Sequence, residues 1–235
     1  MGQPAAVLSA ETLNWEQHFA WAGAGDFLDR AARFLRPLGD DPLREAHAPF
    51  SDYDLSGDRP AEPARALRPA AVLAAIAPRP DGLSLVLTRR ADHLAKHAGQ
   101  VAFPGGRVEA TDASPAHAAL REAQEEIGLD PAKVQLLGYG PLYETVTGFL
   151  VAPVVGLIDP SAQFRLDAGE VAELFEVALD SALDPRRHLL HETLWNGRVR
   201  RYYSIPTPQH FLWGATAGMI RGLARQLYGG ESEAT

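Results

Sequence analysis

The sequence predicts an α/β (α+β) fold: a mixed β-sheet sandwiched between helices (α/β/α), preceded by an N-terminal helical extension. Three observations carry this expectation. From Ala70 onward, short apolar runs of strand character alternate with helical segments. One of those segments is bounded by helix-capping residues at both ends, Ser114-Pro115 and Gly128. Residues 1–66 read differently, as one helical stripe followed by a polar, proline-dotted stretch.

In chain order, Phe27, Leu28, Ala31 and Leu35 recur at helical spacing, and Asp26 is placed to help start that helix. Pro37 and Gly39 end it. His47 to Arg65, with Pro49, Pro60 and Pro63, reads as a loop or linker. The expected boundary therefore separates residues 1–66 from a main domain at 67–235. Ala71–Ile76 and Leu83–Thr88 form a hairpin signature around Pro78–Gly82. After the capped helix come strands near Val134–Gly140, Phe149–Ile158 and Leu174–Ala178. A last pair spans Leu189–Trp195 and Arg198–Ile205, joined at Asn196-Gly197, a tight-turn dipeptide. His210 to Tyr228 reads as an amphipathic helix with Phe211, Leu212, Ala215, Met219 and Leu223 on its apolar side.

At 235 residues, the chain is one large domain or one domain with an extension, and its 46% hydrophobic content supports a sizeable core. No apolar run is long enough to span a bilayer, and the N-terminus lacks the pattern of a signal peptide. There is no cysteine, which excludes disulfides and thiolate chemistry. A cytoplasmic enzyme is expected, with no membrane partner. The net charge of −8 argues against nonspecific nucleic-acid binding but not against an anionic small molecule, which metal ions and local arginines can neutralise.

The chemistry concentrates in the capped helix, at about Pro115–Ile127. Ala116, Ala119, Leu120, Ala123 and Ile127 form its apolar stripe, and Glu122 and Glu126 border it. Glu122, Glu125 and Glu126 fall within an arc of about 100°. Like charges so spaced repel by roughly 0.2–0.5 kcal/mol per pair. A divalent cation converts that repulsion into binding, and hard oxygen ligands favour Mg2+ or Mn2+. Arg121 reaches Glu125 at i+4, and Gly105-Gly106 lie upstream. The implied reaction is hydrolysis of a phosphate or diphosphate.

Gly106, Arg121, Glu122, Glu125, Glu126, Gly128 and Leu129 resemble the Nudix box, G-x5-E-x7-R-E-U-x-E-E-x-G-U with U aliphatic. Asp112 stands at the upstream glutamate position, with eight residues rather than seven before Arg121, and Ala123 stands at the first U. The run Leu87-Thr88-Arg89-Arg90, Leu94 and His97 to Gly106 is similar to the coenzyme A diphosphatase branch of that family. Val146 to Phe149, Pro153 to Gly156, Glu170 to Val177 and Trp213 to Ala217 are similar too. Ala95 stands where branch members often carry arginine. The resemblance covers about Arg68 to Leu227. It implies the Nudix fold, Glu122 and Glu126 as metal ligands, and the Gly106 carbonyl as a further ligand. Glu125 is either another ligand or the group that orients the attacking water. Arg121 is the box arginine, and Glu170 is a candidate for assisting the water.

Arg89, Arg90, Lys96 and His97 form a basic cluster suited to substrate phosphates, although His97 reads equally well as a structural histidine. Glu173 and Glu144 are weaker acidic candidates. His188 and His191 lack the cysteines and setting of a zinc site. Arg198-Val199-Arg200 reads as a solvated edge, and Phe211 and Trp213 as core rather than adenine-stacking residues. The leading reading is a Mg2+- or Mn2+-dependent hydrolase cleaving coenzyme A or its derivatives to 3′,5′-ADP and 4′-phosphopantetheine. The alternatives are a Nudix hydrolase of ADP-ribose, NADH or a dinucleotide, and a nucleotide-sensing module without turnover. A homodimer is compatible with the sequence.

Overall fold

The computed structural model describes residues 6–8, 20–45, 47–60, 66–195 and 197–229. Asn196 of the expected tight turn and Pro63 of the expected linker lie outside them. Gly197 adopts a left-handed φ of 75°, as a tight turn there requires.

The centre of the fold is a long antiparallel hairpin, β3 (Arg68–Arg79) and β4 (Gly82–Arg90), joined across Pro80-Asp81. Its strands outrun the expected ones. Pro78 belongs to β3, just past the last residue that β9 (Phe149–Ile158) pairs, so its missing donor breaks no bond on that side. β9 runs parallel to β3. β10 (Val171–Ala178) completes one side, and β8 (Tyr143–Glu144) and β2 (Phe50–Ser51) the other, in the order β10-β4-β3-β9-β8-β2. β5 (Val101–Ala102), β6 (Gly105–Arg107) and β7 (Val134–Tyr139) add to β4, β3 and β9. β2 lies inside the stretch expected as linker, where Phe50 and Ser51 pair in parallel with Tyr143 and Glu144.

Alternation along β3 sorts the core into two layers. Ala71, Leu73, Ala75 and Ala77 face helix α2 (Pro115–Ile127), whose Ala116, Ala118, Ala119, Ala123 and Ile127 are buried against that face. Alanine facing alanine lets helix and sheet approach closely. Ile127, fully buried, contributes roughly 1.5–3 kcal/mol. Ala70, Ala74 and Ile76 face the opposite layer, built from α1 (Ala24–Phe34), α3 (Leu179–Leu183) and α4 (Gly214–Tyr228). In α1, Phe27 and Ala31 are buried, as is Leu35 just after it, and Leu28 is turned outward. Asp26 pairs with Arg30 rather than capping the helix. Helices thus cover both faces of a mixed sheet. No helix among the described residues is long and apolar enough to cross a membrane.

The C-terminal third departs from expectation. β11 (Leu189–Trp195) and β12 (Arg198–Pro206) pair as expected, but they belong to a second sheet, β1 (Ala6–Leu8)-β11-β12-β13. β13 is Phe211–Trp213, so the last helix starts at Gly214 rather than His210. Only Leu212 of that tripeptide is buried. Phe211 and Trp213 alternate outward, 49% and 43% exposed, which is strand periodicity and corrects their reading as core. Arg200 is not a solvated edge residue either, because it ion-pairs with Asp58 at 3.0 Å.

Candidate active site

The acidic helix is placed by its caps. Ser114 Oγ accepts from the His117 amide at 3.1 Å, Pro115 takes the first turn, and Gly128 ends the helix in the left-handed conformation at φ 65°. Such an N-cap is worth about 1 kcal/mol. The helix then lies against β6, where Gly106 pairs with Ala71. A Cβ at Gly106 would stand 2.5 Å from the Glu122 carboxyl carbon. Glycine is therefore required for the carboxylate to sit against the loop.

Arg121 organises this surface. Its guanidinium donates to Asp112 through Nε and Nη2, both at 3.1 Å, and to Glu122 and Glu125 through Nη1, both at 3.0 Å. Nη2 also donates to the Arg107 carbonyl at 3.1 Å. Asp112 is enclosed, and the Arg121 hydrogen bonds hold its carboxyl down at about 2. The Arg121 pKa is raised in return. The aspartate thus takes the pairing role that the box pattern gives to a glutamate. His117 Nδ1 lies 2.9 Å from the same carboxylate.

Glu126 points inward and is 3% exposed. One oxygen accepts from the Gly105 amide at 3.1 Å, and Arg90 Nη1 lies 3.6 Å from the other. Burial nevertheless pushes its pKa up to about 7, reinforced by the charges of Glu122 and Glu170. Burial also raises Glu122, whose charge is opposed by Glu125 and Glu170. Glu122, Glu125, Glu126 and Glu170, which enters from the turn before β10, therefore form one electrostatic cluster short of positive charge. That deficit, with the cradle at Gly106, fits a divalent cation. As they stand, Glu122 and Glu125 lean on Arg121, and no three acidic or imidazole side chains among the described residues are spaced as a ready cage. Holding a cation calls for side-chain rotation at these positions.

The basic cluster divides. Arg90 reaches Glu126. Arg89 is engaged by Asp92 at 2.6 Å and Glu173 at 3.6 Å. Lys96 and His97 sit on an exposed turn, where His97 takes a left-handed φ of 57° and its Nδ1 lies 2.9 Å from Gln100 Oε1. That bond is the one the structural alternative for His97 requires. Glu173 also meets His210 at 3.1 Å, and Glu144 is buried against Arg59. His188 and His191 serve separate bonds, to the Ala182 carbonyl at 2.8 Å and Ser204 Oγ at 2.6 Å. The Gly105 amide as a donor to Glu126 escaped the sequence reading, because a backbone group carries no sequence signal of its own.

A mixed sheet between helices, with an acidic helix against a double-glycine loop, is the arrangement of a Nudix-type hydrolase. The chain belongs to the Nudix hydrolase family, since the NUDIX domain profile matches residues 67–195. It is 47% identical over 160 residues to the Escherichia coli (strain K12) protein named Uncharacterized Nudix hydrolase NudL, covering 68% of this chain and 83% of that one. Solved structures overlap more loosely. The M. smegmatis Nudix hydrolase RenU is 24% identical at TM-score 0.42, covering 51% of this chain and 76% of that one. A C. elegans Ap4A hydrolase binary complex is 16% identical at TM-score 0.42, covering 48% and 83%. Nudix hydrolases generally use divalent cations such as Mg2+ or Mn2+.

Proposed function

We propose that this enzyme hydrolyses the diphosphate linkage of coenzyme A or its derivatives, with Mg2+ or Mn2+, to 3′,5′-ADP and 4′-phosphopantetheine or its acyl form. The observation that carries the hydrolytic part is the buried Glu126 beside Glu122 and Glu170, with too few cations to balance them. Support for coenzyme A comes from the sequence between Arg89 and Gly106 and from the Asp112 substitution, both similar to that branch.

Glu122, Glu126 and Glu125, with the Gly106 carbonyl, would hold the cation. Bound there, it would supply Lewis acidity to a phosphoryl oxygen and to the attacking water. The chain's own residues do the positioning. Arg121 restrains Glu122 and Glu125 from one side and is itself fixed by Asp112. The Gly105 amide sets the direction of Glu126. Arg90, 3.6 Å from Glu126, would donate to a substrate phosphate there. Glu125, the most exposed of the three helix carboxylates, would serve either as a further ligand or, with Glu170, to orient the attacking water. Residues 1–66 are read as an extension, with α1 packed on α4 and β2 on β8.

Coenzyme A, ADP-ribose and NADH, each offered with Mg2+, Mn2+ or chelator and followed by mass spectrometry of products, test this reading. Metal-dependent release of 4′-phosphopantetheine is expected. Cleavage of ADP-ribose alone would assign another nucleotide substrate, and binding without turnover in any metal would assign a sensor.

A further inference from the structure

β3 begins at Arg68, β6 ends at Arg107 and β9 begins at Phe149, so these three residues meet at one rim of the central sheet. Arg68 pairs across the ladder with Phe149, and its guanidinium lies 3.8 Å from the centre of the ring. Arg107 lies 5.9 Å from the same centre. Both are within cation–π range. Arg68 also donates to the Thr147 carbonyl at 2.8 Å, which leaves most of its donors free. The Arg107 backbone is held by its pairing with Ala70 and by the bond from Arg121 to its carbonyl.

Among the described residues neither arginine has a carboxylate partner. That separates them from Arg89, Arg90 and Arg121, each of which has a carboxylate within ion-pair distance. Two guanidinium groups with no carboxylate partner among the described residues give a local excess of positive charge in a chain of net charge −8. It adjoins the carboxylate cluster: Gly106, against Glu122, is the neighbour of Arg107. Adjacent strand residues face opposite sides of a sheet, so a ligand that bends over this rim meets Glu122 on one side and the Arg68–Phe149–Arg107 patch on the other.

We infer that Arg68 and Arg107, braced on Phe149, bind a second phosphate of the substrate, remote from the scissile linkage. Resting on the coenzyme A reading above, this group is the 3′-phosphate of the nucleotide half. Arginine forks suit a terminal phosphate dianion, and the Phe149 ring limits how far either guanidinium can turn.

The test compares coenzyme A with 3′-dephospho-coenzyme A on the intact chain and on Arg68→Ala and Arg107→Ala, with melting temperature recorded. Each variant is expected to raise KM for coenzyme A about 10-fold, the loss of one charge-assisted phosphate contact, with kcat unchanged. KM for the dephospho substrate should move less than about 2-fold, because that contact is absent. Equal losses on both substrates, or no loss on coenzyme A, would overturn the assignment. Should the wild-type enzyme cleave no coenzyme A, the substrate proposal fails on its own. The patch is then judged by calorimetric binding of adenosine 3′,5′-bisphosphate against 5′-AMP. Tighter binding of the bisphosphate, abolished in Arg107→Ala, supports the site, and equal affinities refute it.

Discussion

Asp112 holds Arg121 through two parallel hydrogen bonds, Nε to Oδ1 and Nη2 to Oδ2, each 3.1 Å long. Arg121 then spans Glu122 and Glu125. One enclosed carboxylate in the loop thereby sets the orientation of two carboxylates on the helix. Replacing Asp112 by Ala should lower turnover about 10- to 100-fold, the usual cost of removing a group that orients ligands. Steady-state kinetics with a metal titration checks this, and unchanged kinetics would show that Arg121 needs no support.

Gly106 and Gly105 should respond differently to alanine. At Gly106 the new methyl would meet only the far end of the Glu122 side chain, which can swing away. Gly106→Ala should therefore keep its melting temperature within a few degrees yet lose most activity. At Gly105 the methyl would meet the Ala71 carbonyl at 2.5 Å and the Val72 Cα at 2.6 Å, at a φ of 154°. Gly105→Ala should lower the melting temperature markedly, as expected for backbone strain of about 1–3 kcal/mol or more. Calorimetry and an activity assay on the pair separate the two roles.

Glu126 gives the metal-free protein a pH signature. Its folded pKa near 7 lies above the usual 4.5, so between those values the native state binds more protons than the unfolded chain. Stability must then fall as pH rises from about 4.5 to 7, by at most about 3 kcal/mol from this group. Because His188 contributes an opposite trend over the same range, the slope is read as the difference in stability between wild type and Glu126→Gln, measured by melting in chelator across this pH range. A slope shared by both proteins would place its source elsewhere.

His188 contributes the opposite trend. Burial lowers its pKa to about 4 from 6.5, with the Arg221 charge adding to the effect. Between those values the unfolded chain binds the extra proton, so stability is lost as pH falls from 6.5 toward 4. His188→Gln should weaken this acid sensitivity. Comparing it with Glu126→Gln resolves the two slopes over the same pH window.

Local chemistry made much of this legible in the sequence. Ser114, Pro115 and Gly128 bound the helix as their capping preferences require, and the spacing of Glu122, Glu125 and Glu126 put them on one face. Long-range pairing was less visible. Phe211-Leu212-Trp213 suits either a helix or a strand by composition, and only the partner strand β12 decides. Phe50-Ser51 is too short to announce itself as a strand until β8 lies beside it. Among the basic residues, sequence proximity suggested one cluster of Arg89, Arg90, Lys96 and His97. Neighbouring positions on β4 send Arg89 toward Asp92 and Glu173 and Arg90 toward Glu126, while Lys96 and His97 leave on a turn. The patch of Arg68, Arg107 and Phe149 draws on three separate strands, and no contiguous pattern could reveal it.

The central claim is that the carboxylates of α2 would hold the divalent cation with which this enzyme hydrolyses the diphosphate of coenzyme A. Its most direct test measures 4′-phosphopantetheine release by wild-type protein and by Glu126→Gln at saturating Mg2+, with melting temperatures confirming that both are folded. The account predicts metal-dependent turnover by the wild type and a loss of about 100-fold or more in the variant. Near-full activity of folded Glu126→Gln would contradict it.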